Sequence, residues 1–487
     1  MQQIFSYTFS SALPSQGWQN SHHGFPFYPP GPQASISTNI LVHGKRMWND
    51  NDSNTSLRSS IVRELGMNGI NWVAIDVLRI GYSEIGDFPV VVFISVQPGS
   101  TSRLIGNLAA IECRGIIVEF GITDIHVEIK ESCLVRLAGT QEFTQLISGP
   151  IQRSDDDSSY ICNISDQLGV CIASEKSPRK EGTKGLYIMA ASKGSKISMH
   201  LLLPAPVPIL QPGNKTLETT MNTLRKGSIA FEDMISKLKL KDNMDPDVQQ
   251  QRIGDFESSA LLTGSRLNKY EPRQSMESRR IGWVSHSRAL TSQRHEQYDF
   301  IADWALIALD GTKHPKDMHR LRNQLYVGTN AELSDELRNT PGGFVHPPLN
   351  QGTLTLDGVV PLSEILQSEA GSLIVGKVGR TSGHTWGVIN TVKSVIRRIT
   401  LADQASNASE HLVSEICVVG AKEHTAFSRV GDSGACVWDA TGRVAGMLVG
   451  GLGADDEGSS GIDVTYITPI SWILGDMEKF GLDVTIA

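Results

Sequence analysis

The spacing of apolar positions changes several times along this chain, and each change marks a part of it. Residues 1–45 show no period: Ser, Pro, Gly, Gln and His dominate, with a run of prolines and aromatics over 25–32. Such a segment buries too little apolar surface to offset its ordering entropy, which predicts a disordered tail. Over 46–148 the pattern is that of a small α+β domain. The apolar run Val90–Val96 predicts a buried strand, residues 103–113 have helical spacing, and 126–130 alternate as a half-exposed strand does. Residues 149–168, with Gly149-Pro150 and an acidic, Ser-rich stretch, read as a linker. From 169 to 487 short apolar runs bounded by glycines recur at 169–173, 182–189, 281–284, 304–309, 373–378 and 443–449. Many short strands of this kind predict a mainly β barrel or sandwich. Over 212–278 the period becomes helical. Leu217, Met221 and Leu224 share one face, as do Phe231, Met234, Ile235 and Leu238, so a helical insertion divides the first half of the β structure. Its remaining faces are charged, which predicts packing outside the strands as a lid or docking element.

Length and composition narrow the class. A chain of 487 residues is too long for one ordinary core, and 40% hydrophobic with 20% charged residues is the balance of a globular protein. A formal net charge of −8 argues against a nucleic-acid partner. No apolar run approaches the ~20 residues that a membrane helix needs. The greasiest stretch, 201–210, contains Pro204, Pro206 and Pro208. The first residues lack a basic start followed by an apolar core, so no secretory signal is read. Cysteines 113, 133, 162, 171, 417 and 436 show neither CxxC nor metal spacing, which suits a reducing compartment. The expected address is intracellular, cytoplasmic or nuclear, with no membrane partner. No cofactor or metal is expected either. His22-His23 has no further ligands at useful spacing, and His126 and Glu128, on one face of a strand, read as a solvated face.

Chemistry concentrates in three stretches. The sharpest is Gly431-Asp432-Ser433-Gly434. A serine nucleophile needs a tight turn that lifts its oxygen clear of the backbone and aims amide N–H groups at a developing oxyanion, which flanking glycines permit. The amides of Gly431 and Ser433 are the candidate donors. Residues 435–438 read as the next strand, 439–442 as a turn and 443–446 as the start of a further strand. The second stretch is Asp303-Trp304-Ala305-Leu306-Ile307, a carboxylate at a strand start. The third is 378–388, with Gly379-Arg380-Thr381-Ser382-Gly383 followed by Thr385 and Gly387.

In this order the three stretches resemble the trypsin-like serine peptidases, in particular an intracellular branch of fungi and plants. The resemblance covers about 170–487 and more loosely the α+β region before it. It implies two six-stranded β-barrels with a triad between them in the chain order His, Asp, Ser. Ser433 is then the nucleophile and Asp303 the carboxylate that orients the imidazole. The aspartate beside the serine pairs with a new N-terminus in zymogen-activated relatives; here an internal cation such as Arg429 or Arg380 is the expected partner of Asp432. By the same resemblance Phe427, six residues before Ser433, points to an apolar primary pocket, and Gly450-Gly451 either border the substrate cleft or form a turn. Cys436 reads as a buried strand residue. Chain order excludes the α/β-hydrolases and lipases, whose base histidine follows the serine, because the last histidine here is His424.

The histidine departs from the family pattern. Relatives carry a Thr-x-x-His motif after an apolar strand of the first barrel. His200 stands near that place, but Ser198 is one residue too close and Pro204 and Pro206 disturb the turn that follows. His286 precedes Asp303 by only 17 residues, and His295 lies in a loop. Three readings stay open: His200 as general base, His286 in that role, or no functional base. The function expected is a serine endopeptidase acting on peptides or proteins, with Ser433, His200 and Asp303 as its triad. The alternative is an inactive trypsin-like domain that binds a peptide or protein. A third class is a peptidase that cuts its own linker once.

Overall fold

The computed structural model describes residues 8–10, 27–28, 45, 47–49, 56–80, 89–136, 163–192, 207–241, 244–288, 300–313, 321–329, 331, 333, 349–368, 373–398, 411–421, 426–453 and 462–487. Within them the protein is mainly β. The N-terminal part runs β1 (Thr8–Ser10), β2 (Phe27–Tyr28), α1 (Leu57–Met67), β3 (Trp72–Ile80), β4 (Val90–Val96), α2 (Arg103–Glu119), β5 (Ile125–Glu131) and β6 (Cys133–Arg136). Both helices begin at a serine cap: Ser56 accepts from the Ser59 amide and Ser102 from that of Ile105. The expected strand at Val90–Val96 is β4, central and buried at every position, with β3 antiparallel on one side and β5 parallel on the other. One sheet face packs on α1 and α2 through Ile75, Val77, Val92, Ile94, Val127 and Ile129.

Of the segment predicted as a disordered tail, Thr8–Ser10 pairs with β5 and Phe27–Tyr28 with β3. One expectation for this region is corrected. No position of β5 is exposed. Glu128 is buried, and burial pushes its carboxyl up to about 7, so the His126–Glu128 side is no solvated face.

The second half begins with β7 (Cys171–Ser174), β8 (Glu181–Thr183), β9 (Ile188–Ser192), β10 (Pro208–Leu210), α3 (Asn214–Lys239), α4 (Pro246–Tyr270) and α5 (Met276–Arg279). It continues with β11 (Arg280–Ser287), β12 (Ala305–Leu309), β13 (Gln324–Tyr326), β14 (Thr353–Thr355), α6 (Leu362–Gln367), β15 (Ile374–Gly379) and β16 (Gly383–Arg398). β17 (His411–Gly420), β18 (Cys436–Asp439), β19 (Val444–Gly453), β20 (Ile462–Pro469), α7 (Ile470–Lys479) and β21 (Leu482–Ile486) complete it. The strand–turn–strand expected after the serine is β18, an Asp439-capped turn and β19; the Asp439 carboxylate accepts from the amides of Thr441 and Arg443.

Six strands close on themselves in the order β16-β15-β18-β19-β20-β17 and back to β16. This ring is filled by Val375, Ile389, Ile416, Val418, Phe427, Val437, Leu448 and Ile467. The other expected barrel does not close among the described residues: β12-β11-β10-β7-β8 form an open five-stranded sheet, and β9–β21 and β13–β14 are separate ribbons. The N-terminal strands belong to the ring's sheet, because β16 outruns the ring and its Val395 and Ile396 pair with Ile75 and Ala74 of β3. The second face of that sheet therefore packs on the ring, with Ala74, Leu78, Val91 and Phe93 against Cys417, Val419, Leu452 and Tyr466. Asp76 lies in this interface, fully buried. Its carboxylate accepts from Ser394 Oγ and, at 2.9 Å, from Tyr466 Oη, yet burial pushes its pKa up to about 6.

The helical insertion is α3 and α4, which pack against each other and bring Phe231 and Phe256 within 6.1 Å. Leu217, Met221, Leu224 and Leu238 are buried, whereas Met234 is exposed, so the second predicted face is only partly covered. The end of the expected linker is packed: Leu168 is buried, and the carbonyl of Asp166 accepts from Tyr187 Oη at 2.7 Å. No helix among the described residues is long and apolar enough to cross a membrane. Cys113, Cys171, Cys417 and Cys436 are free thiols.

Candidate functional site

The loop between β17 and β18 turns twice through backbone regions that favour glycine, at Gly431 (φ +103°) and Gly434 (φ +84°). The turn is held from inside by Asp432, whose side chain is fully buried. Its carboxylate accepts from the amides of Arg429 (2.9 Å), Thr381 (2.8 Å) and Ser382 (3.1 Å) and from Ser382 Oγ (2.6 Å). Lys377 Nζ completes the shell at 3.2 Å, and it too is fully buried and donates to Ser382 Oγ. The internal cation is thus Lys377 of β15, not Arg429 or Arg380. Arg429 contributes only its backbone amide, and Arg380 pairs with Glu181. Burial alone would raise the Asp432 pKa, but Lys377 and the four hydrogen bonds outweigh it and hold the carboxyl below its ordinary value. Burial lowers the Lys377 ammonium, against the pull of Asp432.

Asp432 is turned inward, and Gly431 beside it is buried as well. The Asp432 amide donates to the Arg429 carbonyl and the Gly434 amide to the Leu448 carbonyl. Those of Gly431 and Ser433 donate to no described residue. Ser433 is half-buried, and its hydroxyl has no hydrogen-bond partner among the described residues. Two idle amides beside an accessible hydroxyl are what a developing oxyanion requires.

A second wall comes from β8. The Thr183 amide donates to the Ser433 carbonyl at 2.9 Å, while Thr183 Oγ1 donates to the Gly431 carbonyl at 3.0 Å and accepts from the Arg380 amide at 3.1 Å. The insertion reaches this wall: the amide and hydroxyl of Thr216, in the first turn of α3, donate to the Glu181 carboxylate at 2.8 and 2.9 Å. Lys184 points the other way, as alternation along an extended chain requires. Burial brings its pKa to about 7, and its ammonium is spent on Tyr187 Oη (3.0 Å) and Gln211 Oε1 (3.1 Å), so it does not serve Ser433.

The other expected residues are placed as follows. Asp303 is exposed, in a segment that leaves the ring and enters the five-stranded sheet. The Ile301 amide donates to Glu415 Oε1 at 3.3 Å, Trp304 Nε1 donates to Asp476 Oδ2 at 2.9 Å, and β12 starts at Ala305. His200 and His295 lie outside the described residues. His286 is exposed on β11 opposite Leu306, with its Nδ1 3.2 Å from Ser285 Oγ. Phe427 does not line an open pocket: it is buried in the ring, with its carbonyl accepting from Thr385 Oγ1 at 2.7 Å. Gly450 and Gly451 are strand residues of β19, paired with β20 on one edge and β6 on the other. Cys436 is buried on β18, as expected. His384 stacks on Trp438 with ring centroids 5.9 Å apart and meets Trp386 edge-on, which makes it part of the packing behind the loop.

Sequence reasoning missed Lys377, Thr183 and Glu181. Lys377 had one available signal, a lone cation inside the apolar run 373–378. Among the described residues no group of three or more His, Cys, Asp or Glu is arranged to hold a metal. No protein-family model matches the chain, and no curated protein matches it.

Proposed function

We propose that the protein is a serine endopeptidase with a trypsin-like, two-barrel peptidase unit. Ser433 attacks a peptide carbonyl, the amides of Gly431 and Ser433 receive the oxyanion, His200 takes and returns the proton, and Asp303 orients the imidazole. The substrate is a peptide or protein. One observation carries this reading: the loop that presents Ser433 is locked from within by the buried Asp432–Lys377 pair, which leaves both oxyanion amides idle beside the hydroxyl. Such donors are worth about 10²–10³ in rate, and a loop built only for packing has no need to leave two amides unmatched.

A fluorophosphonate probe tests it, because the probe mimics the tetrahedral intermediate and needs both the nucleophile and the oxyanion donors. Labelling of the wild-type protein is expected to rise between about pH 6 and 9, as a histidine base loses its proton. Ser433→Ala abolishes it, His200→Ala slows it by about 10²–10⁴, and His286→Ala leaves it unchanged. Labelling that survives His200→Ala but disappears in His286→Ala reassigns the base. Absence of labelling throughout that range defeats the enzymatic reading in favour of an inactive peptide-binding domain.

A further inference from the structure

One edge of β19 is shared by three parts of the chain. β20 takes the whole opposite edge from Gly446 to Gly453. On the shared edge β18 pairs with Val444–Met447, and then the nucleophile loop bonds to Leu448, whose amide donates to Ala435 and whose carbonyl accepts from Gly434. Beyond Val449 the edge passes to β6, with Arg136, Val135, Leu134 and Cys133 opposite Gly450, Gly451, Leu452 and Gly453. β18 and β6 are both antiparallel to β19, so they run in the same direction along it, and the C-terminal end of β6 points at Ser433. One residue of β19, Val449, separates the partner of Arg136 from the residue bonded to Gly434, a step of about 7 Å.

An extended peptide on this edge gains main-chain hydrogen bonds by strand addition. With the polarity of β6, it delivers its next carbonyl to the idle amides of Gly431 and Ser433. Gly450 and Gly451 keep the part of the edge nearest Ser433 open to close backbone approach. We propose that β6 is a built-in occupant of this edge, a pseudosubstrate strand that keeps peptide substrates from Ser433 until it is displaced. The proposal rests on the endopeptidase reading and adds its regulation. β6 is held firmly enough to compete and is short enough to leave. Ser132 anchors its start, with its amide donating to the Val96 carbonyl at 2.9 Å and its hydroxyl to the Gly453 carbonyl at 3.3 Å, but the strand has only four residues.

Native Cys133 stands opposite Gly453, and directly opposed antiparallel residues have Cα atoms about 4.5–5.5 Å apart, inside the range that a disulfide spans. In the full-length Gly453→Cys protein, diamide should bridge Cys133 to the introduced thiol and lock β6 in place. Hydrolysis of fluorescein-labelled denatured casein should then fall at least about tenfold and return with dithiothreitol, whereas the small fluorophosphonate probe labels both forms. Val135→Pro and Arg136→Pro provide the opposite perturbation. Ladder donors alternate along a strand, so one of the two removes an N–H from the β19 pairing and should raise casein turnover several-fold. Equal casein rates in the locked and reduced proteins overturn the proposal. So does silence toward casein in the wild-type, reduced and proline variants while labelling persists. Loss of labelling in every form defeats the endopeptidase reading itself, and this proposal with it.

Discussion

Replacing Lys377 with methionine keeps the length of the side chain and removes its charge, leaving the Asp432 carboxylate buried without its cation. Removing one partner of a buried pair typically costs about 3–5 kcal/mol. Asp432 keeps its hydrogen bonds from Thr381, Ser382 and Arg429, which places the expected loss toward the lower end, about 3 kcal/mol at pH 7. The pH dependence follows from the direction of the Asp432 shift. Its folded pKa lies below the ordinary value, so its stabilisation is present above about pH 4 and is lost as the pH falls through the folded pKa. In Lys377→Met, burial is no longer opposed by the ammonium, so the carboxyl takes up its proton at a higher pH. The deficit of the variant against wild type therefore shrinks between pH 7 and pH 5. Urea unfolding followed by tryptophan fluorescence at both pH values measures it, since Trp386 and Trp438 lie on the two strands that flank β15. Adding Asp432→Asn should recover about 1–2 kcal/mol by removing the stranded charge, and fluorophosphonate labelling should fall in Lys377→Met as the loop loosens. A deficit under about 1 kcal/mol, or one of equal size at pH 5 and pH 7, would falsify the claim that this pair holds the loop.

Two further outcomes follow from other parts of the molecule. At Asp76, a folded pKa of about 6 against an unfolded value near 3.9 means that the wild type loses about 3 kcal/mol as the pH rises from 4 through 6, a loss that Asp76→Asn should not show; unfolding midpoints for the two proteins that run parallel across this window would sink the idea. At Gly431 the backbone has φ +103° and an added Cβ collides with Thr381 Oγ1, so Gly431→Ala should cost about 1–3 kcal/mol and cut probe labelling about 100-fold by misaiming one oxyanion donor. Unchanged labelling in a folded Gly431→Ala protein would show that this amide plays no part.

What the sequence made legible was local. The helical pair at 214–270 declared itself through the spacing of Leu217, Met221 and Leu224, and the strand–turn–strand after Ser433 through two apolar runs around Asp439–Gly442. What it hid was pairing between distant segments. β16 has one continuous apolar pattern, yet its first half closes the ring and its second half carries β3, and nothing in the alternation of a strand states which neighbour it takes. Glu128 reads as a surface carboxylate because alternation gives the face a residue occupies and not what covers that face.

The hidden cation shows the same limit at the site. Arg380 and Arg429 stand nearer to Ser433 in the most recognisable motifs, but arginine at a surface turn finds other acceptors, as Arg380 does in Glu181. Lys377 is on a strand buried on both sides, where an ammonium survives only with a carboxylate at hand. A lone lysine inside an apolar strand therefore implies a buried acid somewhere, and the acid in the adjoining glycine-flanked turn is the one without a surface to face. By that reasoning the pair was recoverable in principle. The β6 pairing was not: residues 133–136 are too few to show a period, and their place beside Ser433 is set by the glycine edge of β19 and the anchoring of Ser132, neither of which leaves a mark on β6 itself.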